Sequence, residues 1–125
     1  MRALVIDDSR ATRAILRRIL EQLDAEVVDA SDGQQGLDVL AAEQANGGID
    51  VALVDWNMPV MDGLEFVRSV RAQGAHGELP IIMVTTEGDA EHLIAAMEAG
   101  ANEYAMKPFT ASVIREKLEL LGFTD

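Results

Sequence analysis

The chain has 125 residues, 49% of them apolar, and a formal charge of −12; that is enough to build one packed domain, and an acidic surface repels phosphate backbones and anionic lipid, which argues against nucleic acid and membrane as partners. It has no cysteine, which excludes disulfides and thiolate metal sites and fits a reducing compartment. No apolar run approaches the roughly 20 residues that span a bilayer, and the stretch from Met1 to Asp8 is too short and too acidic at its end for an export signal, so a soluble, cytoplasmic protein is expected.

Short apolar runs alternate with amphipathic stretches five times. The first strand is predicted at residues 3–6 and is followed by Asp7 and Asp8. In the first helix Thr12, Leu16, Ile19, Leu20 and Leu23 form an apolar stripe. Arg10, Arg13, Arg17 and Arg18 lie opposite it, as a solvated face or as a docking patch for an acidic partner. The second strand is predicted at 26–29. Its helix, marked by Leu37 and Leu40, is capped by Ser31 or Asp32 and closes near Asn46-Gly47-Gly48. The third strand, 51–54, precedes Asp55, Trp56 and Asn57; a helix with Leu64, Val67 and Val70 then starts at Asp62 and stops at Gly74. The fourth strand, 81–84, leads to Thr85 and Thr86 and to a helix with Leu93, Ile94 and Met97 that ends at Gly100. The fifth, 102–105, is mixed in character and reads as an edge strand before Met106, Lys107 and Pro108. Val113, Ile114, Leu118 and Leu121 mark the last helix, with Thr110 as its cap.

The first, third and fourth strands are almost wholly apolar, as strands covered by helices on both faces are. Five βα units predict an α/β fold: a flavodoxin-like, doubly wound three-layer sandwich on a parallel five-stranded sheet of order 2-1-3-4-5, one domain over residues 1–125. Such sheets bind ligands at the carboxyl ends of the strands, above all between the first and third. Asp7, Asp8 and Asp55 converge there, flanked by Thr85 and Lys107. Three carboxylates in one crevice repel each other and need a cation or raised pKa values. Hard oxygen ligands suit Mg²⁺, which keeps waters for a phosphate. A carboxylate can attack phosphorus to give an acyl phosphate, while a metal and a lysine neutralise the equatorial oxygens and a hydroxyl at Thr85 bonds another. Each residue alone has a plainer use. Asp8 could cap the first helix, Asp55 a turn, and Thr85 could satisfy backbone at a strand end. Lys107 could be exposed, although the Lys107–Pro108 bond fixes the local backbone and is a candidate for the cis form. Taken together, an acid pair, an acid, a hydroxyl and a lysine, each closing a different strand in order, make coincidence improbable.

The run Leu53-Val54-Asp55-Trp56-Asn57-Met58-Pro59-Val60-Met61-Asp62-Gly63-Leu64-Glu65 resembles the receiver signature of response regulators, most closely the CheY type of the chemotaxis branch. Val5-Ile6-Asp7-Asp8-Ser9, Met83-Val84-Thr85, Lys107-Pro108-Phe109-Thr110, Ile94-Ala95-Ala96 and Glu98-Ala99-Gly100-Ala101 are similar to further segments of that family, and the likeness runs from Leu4 to Gly122. The resemblance implies two-component signalling. Asp55 would accept a phosphoryl group from a histidine kinase or histidine phosphotransfer protein. Asp8, Asp55 and the backbone carbonyl of Asn57 would bind Mg²⁺ directly, with Asp7 acting through a coordinated water. Lys107 would pair with the phosphoryl group and Thr85 would reorient to bond it, while Tyr104 is similar to the family's switch aromatic. Helix four, strand five and helix five would be the output face, toward an unnamed protein, and helix one would meet the kinase. Such a domain is no enzyme beyond its own phosphotransfer and dephosphorylation, and a monomer is expected before phosphorylation.

Some positions depart from the chemotaxis pattern. Lysines are frequent at the start of helix four in that branch, where this chain has Gly88-Asp89-Ala90-Glu91-His92, an acidic surface that puts flagellar motor binding in doubt. Thr86 stands where a smaller residue is usual and is expected to restrict access to Asp55. The chain ends just after helix five, so it is expected to act by binding rather than through an effector domain. Three rivals remain. A haloacid-dehalogenase-type phosphatase would carry its nucleophile after the first strand and an acid two residues on, where this chain has Asn57. A flavodoxin-like electron carrier would need a phosphate-binding loop where Asp7-Asp8 stand. A pseudo-receiver would lack part of the acid, hydroxyl and lysine set.

Overall fold

Strands that are apolar on both faces make the centre of the molecule. In this computed structural model, residues 1–74, 77–86 and 90–123 are described. The strands β1 (Arg2–Ile6), β2 (Glu26–Ala30), β3 (Val51–Asp55), β4 (Ile81–Thr86) and β5 (Glu103–Lys107) alternate with α1 (Arg10–Gln22), α2 (Gly33–Glu43), α3 (Gly63–Ala72), α4 (Ala90–Ala99) and α5 (Ala111–Leu120). They form one sheet in the predicted order β2-β1-β3-β4-β5, with every neighbouring pair parallel.

The two-residue side-chain period sorts the strands' apolar residues between two cores. Leu4, Ile6, Ala52, Val54, Ile81 and Met83 pack with Leu40 of α2 and with Phe66, Val67 and Val70 of α3. Ala3, Val5, Val51, Leu53, Ile82 and Val84 pack with Leu16, Ile19 and Leu20 of α1 and with Ile114 and Leu118 of α5. Each large side chain buried here contributes about 2 kcal/mol. Phe66, wholly buried, was absent from the predicted α3 stripe, and Phe66→Ala would cost about 3–5 kcal/mol. Leu64, which that stripe included, is only half-buried.

Helix starts follow the predicted caps. The side chains of Asp32, Asp62 and Thr110 accept the backbone N–H of Gln35, Glu65 and Val113. A 3₁₀ turn at Gln44–Asn46 extends α2 to Gly47 at φ 96°. α3 closes at Gln73, ahead of the predicted Gly74. Of the stripe predicted on α4, Leu93 is half-buried but Ile94 and Met97 are 58% and 39% exposed, while Ala96, outside the stripe, is buried.

Strand ends depart from the prediction in a way that matters for the site. β3 reaches Asp55, β4 reaches Thr86, and β5 runs Glu103–Lys107. The ladder continues past the apolar runs, with Asp55 opposite Val84, Thr85 opposite Met106 and Thr86 opposite Lys107. Backbone pairing is indifferent to side-chain polarity, so the hydrophobic pattern marked the strands' cores and missed their ends. Asn102 lies just outside β5, where its Oδ1 accepts from Ile81 N at 2.8 Å and from Arg71 Nη2 at 2.8 Å. Among the described residues, no helix is long and apolar enough to cross a membrane.

Candidate functional site

The carboxyl edge of the sheet gathers the residues singled out in the sequence. Asp7 follows β1, Asp55 closes β3 and Lys107 closes β5. One carboxylate oxygen from each of Asp7, Asp8 and Asp55 lies within 4.8 Å of the others. Lys107 Nζ donates to Asp55 Oδ1 at 3.1 Å and to Asp7 Oδ2 at 3.3 Å. The peptide bond between Lys107 and Pro108 is cis. Thr85 is 2% exposed on β4, which separates Lys107 from Asp55. Asn57 is exposed on the loop after β3.

The start of α3 is pressed against that loop. Gly63 N donates to the carbonyl of Trp56 at 2.9 Å, and a Cβ on Gly63 would stand 2.5 Å from the carbonyl oxygen of Asp55. Only glycine lets the helix come so close.

The two neighbouring acids are not equivalent. Asp7 is 1% exposed and every polar atom it has is engaged. Its N–H donates to Ala30 O and its carbonyl accepts from Arg13 Nη1 at 2.7 Å. Oδ1 accepts from Ser9 N at 2.8 Å and Oδ2 from Lys107. Asp8 is exposed. It is not the cap of α1 either: Ser9 holds that position, its Oγ accepting Thr12 N at 3.2 Å. The competing use of Asp8 is thereby removed, and its carboxylate is left to the acid cluster.

Charge in the cluster is out of balance. Burial, followed by repulsion from Asp7, raises the Asp55 carboxyl above its ordinary value although Lys107 opposes the shift. Burial works against the Lys107 ammonium, yet its hydrogen bond and attraction to Asp55 and then Asp7 raise it above its usual value. Among the described residues, one ammonium faces three carboxylates, two of them buried. A divalent cation fits the surplus and the all-oxygen donor set.

Tyr104 is half-buried on β5 opposite Met83, with Lys117 Nζ of α5 4.6 Å from its ring centroid. The arginine patch of α1 is divided. Arg13 and Arg17 both reach Asp29 of β2, at 3.7 and 3.5 Å, while Arg10 and Arg18 are exposed. Half of the patch is therefore a clamp between α1 and β2. Gly88 and Asp89 at the start of the acidic stretch, and the Thr86 side chain, lie outside the described residues. Three contacts had no signal in the sequence: Arg13 on the Asp7 carbonyl, Lys117 over Tyr104, and the indole of Trp56 stacked on the imidazole of His92, with centroids 4.3 Å apart and planes at 11°.

The family described as the response regulator receiver domain matches residues 3–119. The chain is 44% identical over 126 residues to the chemotaxis protein CheY1 of Helicobacter pylori, covering 100% of each. It is 45% identical over 120 residues to a chemotaxis protein CheY homolog of Campylobacter jejuni, covering 95% of this chain and 90% of that one. A solved structure of chemotaxis protein CheY4 from Vibrio cholerae superposes with a TM-score of 0.82 at 35% identity, over 95% of this chain and 96% of the other.

Proposed function

The chain belongs to the response regulator receiver domains, of the CheY type, and from that premise we propose that Asp55 is the acceptor that takes a phosphoryl group in a Mg²⁺-dependent reaction. Receiver domains of this type take phosphoryl groups from histidine kinases and act on output partners. The observation that carries the proposal is the double hydrogen bond of Lys107 to Asp55 and Asp7 inside a cluster still short of positive charge.

The geometry supports a role for each residue. A carboxylate oxygen of Asp55 attacks the phosphorus of a phosphohistidine on a kinase or phosphotransfer protein. The O–P bond forms as the P–N bond breaks, and the imidazole leaves with the electron pair. Asp8 and Asp55, with the carbonyl of Asn57, would hold Mg²⁺; Asp7, whose oxygens already accept from Ser9 and Lys107, would act through water. The ion supplies charge neutralisation for the phosphoryl oxygens. Lys107 stands within reach of the same oxygens, and Thr85 offers a hydroxyl from the strand between. The added roughly one to two negative charges then change what α4, β5 and α5 bind, through Thr85 and Tyr104. An amide at Asn57 cannot serve as the general acid of a phosphatase.

Acetyl phosphate with Mg²⁺ should label the wild type as an acid-stable, alkali-labile adduct, and Asp55→Asn should take up none. A pseudo-receiver would label in neither case, and turnover of a small phosphate ester would restore the phosphatase reading.

A further inference from the structure

Resting on the reading of Asp55 as the phosphoryl acceptor, we infer that the stack of His92 on Trp56 is a mechanical coupling that carries displacement of the acceptor loop into α4. Trp56 is the next residue after Asp55 and the only tryptophan in the chain. Its backbone is fixed on both sides, its N–H donating to Val84 O at 3.4 Å and its carbonyl accepting from Gly63 N at 2.9 Å. The indole therefore follows the loop that joins β3 to α3. His92 lies in the first turn of α4, and the near-parallel rings, 4.3 Å between centroids, bridge the two elements.

α4 is the helix that such a contact can move. Among the described side chains it buries Ala96 fully, while Ile94 and Met97 are exposed. α3, by comparison, buries Phe66, Val67 and Val70, and α1 buries Leu16, Ile19 and Leu20. Among the described side chains α4 packs only small apolar groups, Ala96 and Ala99, against the core it shares with α3, so a ring stack at its first turn adds to what fixes it. A stacked aromatic pair shifts a two-state equilibrium by about twofold to tenfold, the scale on which a signalling switch works. The stack is a second link beside the one through Thr85 and Tyr104, since it joins β3 to α4 without passing through β5.

The test uses full-length protein with three side chains at position 92: the wild-type histidine, His92→Ala and His92→Phe. Beryllofluoride with Mg²⁺ serves as the phosphoryl mimic, and amide shifts are mapped over residues 90–99. His92→Ala should bind the mimic and label at Asp55 as wild type does, yet show α4 shifts reduced at least about twofold. The near-UV circular dichroism of Trp56 should fall in the same variant. His92→Phe keeps a flat ring and should restore both signals, which loss of any polar contact made by the imidazole would not allow. Wild-type α4 shifts in His92→Ala, or failure of His92→Phe to restore them, would overturn the coupling. Absence of labelling in the wild type would instead bring down the reading of Asp55, and this inference with it.

Discussion

Lys107, at the end of β5, reaches across β4 to hydrogen-bond Asp55 at the end of β3, with 3.1 Å between Nζ and Oδ1. Neighbouring strands lie about 4.8 Å apart, so a nearly extended side chain is needed to bridge that gap. Among the described residues, Lys107→Ala leaves the three acids with no ammonium between them. Without metal this variant should lose on the order of 1 kcal/mol, since solvent reaches part of the ion pair and screens it. Its affinity for Mg²⁺ should rise severalfold because the ion no longer competes with a fixed cation. Calorimetric Mg²⁺ titration measures this, and unchanged affinity would show that Lys107 does not act on the metal site.

The raised Asp55 carboxyl makes a prediction with a definite sign. The native state binds a proton at Asp55 more readily than the unfolded chain does, because of burial and then Asp7. Metal-free native stability is therefore lost as pH rises from the ordinary carboxylate range through the raised value, and is recovered on acidification. Asp55→Asn should melt higher than wild type in EDTA at neutral pH, with the gap closing toward acid. Lys107, also raised, contributes stability that is full below its ordinary value and lost as pH rises through its native one. A variant that melts at the wild-type temperature throughout the neutral range would refute the strain assigned to Asp55.

Mg²⁺ should stabilise the fold by mass action. At a hundred times its dissociation constant the gain is about 2.7 kcal/mol, read as a rise in melting temperature across a millimolar titration. Asp8→Ala removes one of the repelling acids, so the metal-free variant should be more stable and respond less to Mg²⁺. A flat titration for wild type would argue against any metal at this cluster.

Val60 is a strained residue on the same loop. It has φ 66° and is 81% exposed, and Met61 N donates to Pro59 O at 2.7 Å across it, a tight positive-φ turn that β-branched residues avoid. Val60→Gly should stabilise by up to about 1 kcal/mol, with the midpoint of urea unfolding as the measurement. A lower midpoint would mean that the valine makes a contact worth more than its strain.

Tyr104 and Lys117 test the outward leg of the proposed switch. A cation over a ring at a partly exposed site contributes roughly 0.5–1 kcal/mol, so Lys117 favours the ring position seen here. Lys117→Met should let Tyr104 leave it more easily, and the shifts of β5 induced by beryllofluoride should appear at a lower fraction of mimic bound. Thr85→Ala should label at Asp55 but leave the shifts over residues 90–106 small. Wild-type shifts in Thr85→Ala would exclude a route through Thr85.

Much of this was legible in the residues alone. Apolar runs such as Val51-Ala52-Leu53-Val54 specify strands buried on both faces, and the pair Ser31-Asp32, Asp62 and Thr110 announce helix starts, because both signals act within a few neighbouring residues. The acid, hydroxyl and lysine at successive strand ends pointed to the site, since strand order fixes what shares an edge. The tertiary structure alone decided how those groups are placed and paired. Asp7 and Asp8 are chemically identical neighbours, yet one is enclosed by Ala30, Arg13, Ser9 and Lys107 while the other faces solvent. Arg13 and Arg17 became a clamp on Asp29, and Trp56 found His92. Such pairings depend on where side chains from distant parts of the chain come to rest, and burial and charge act over a few ångströms of space, whatever the separation along the sequence.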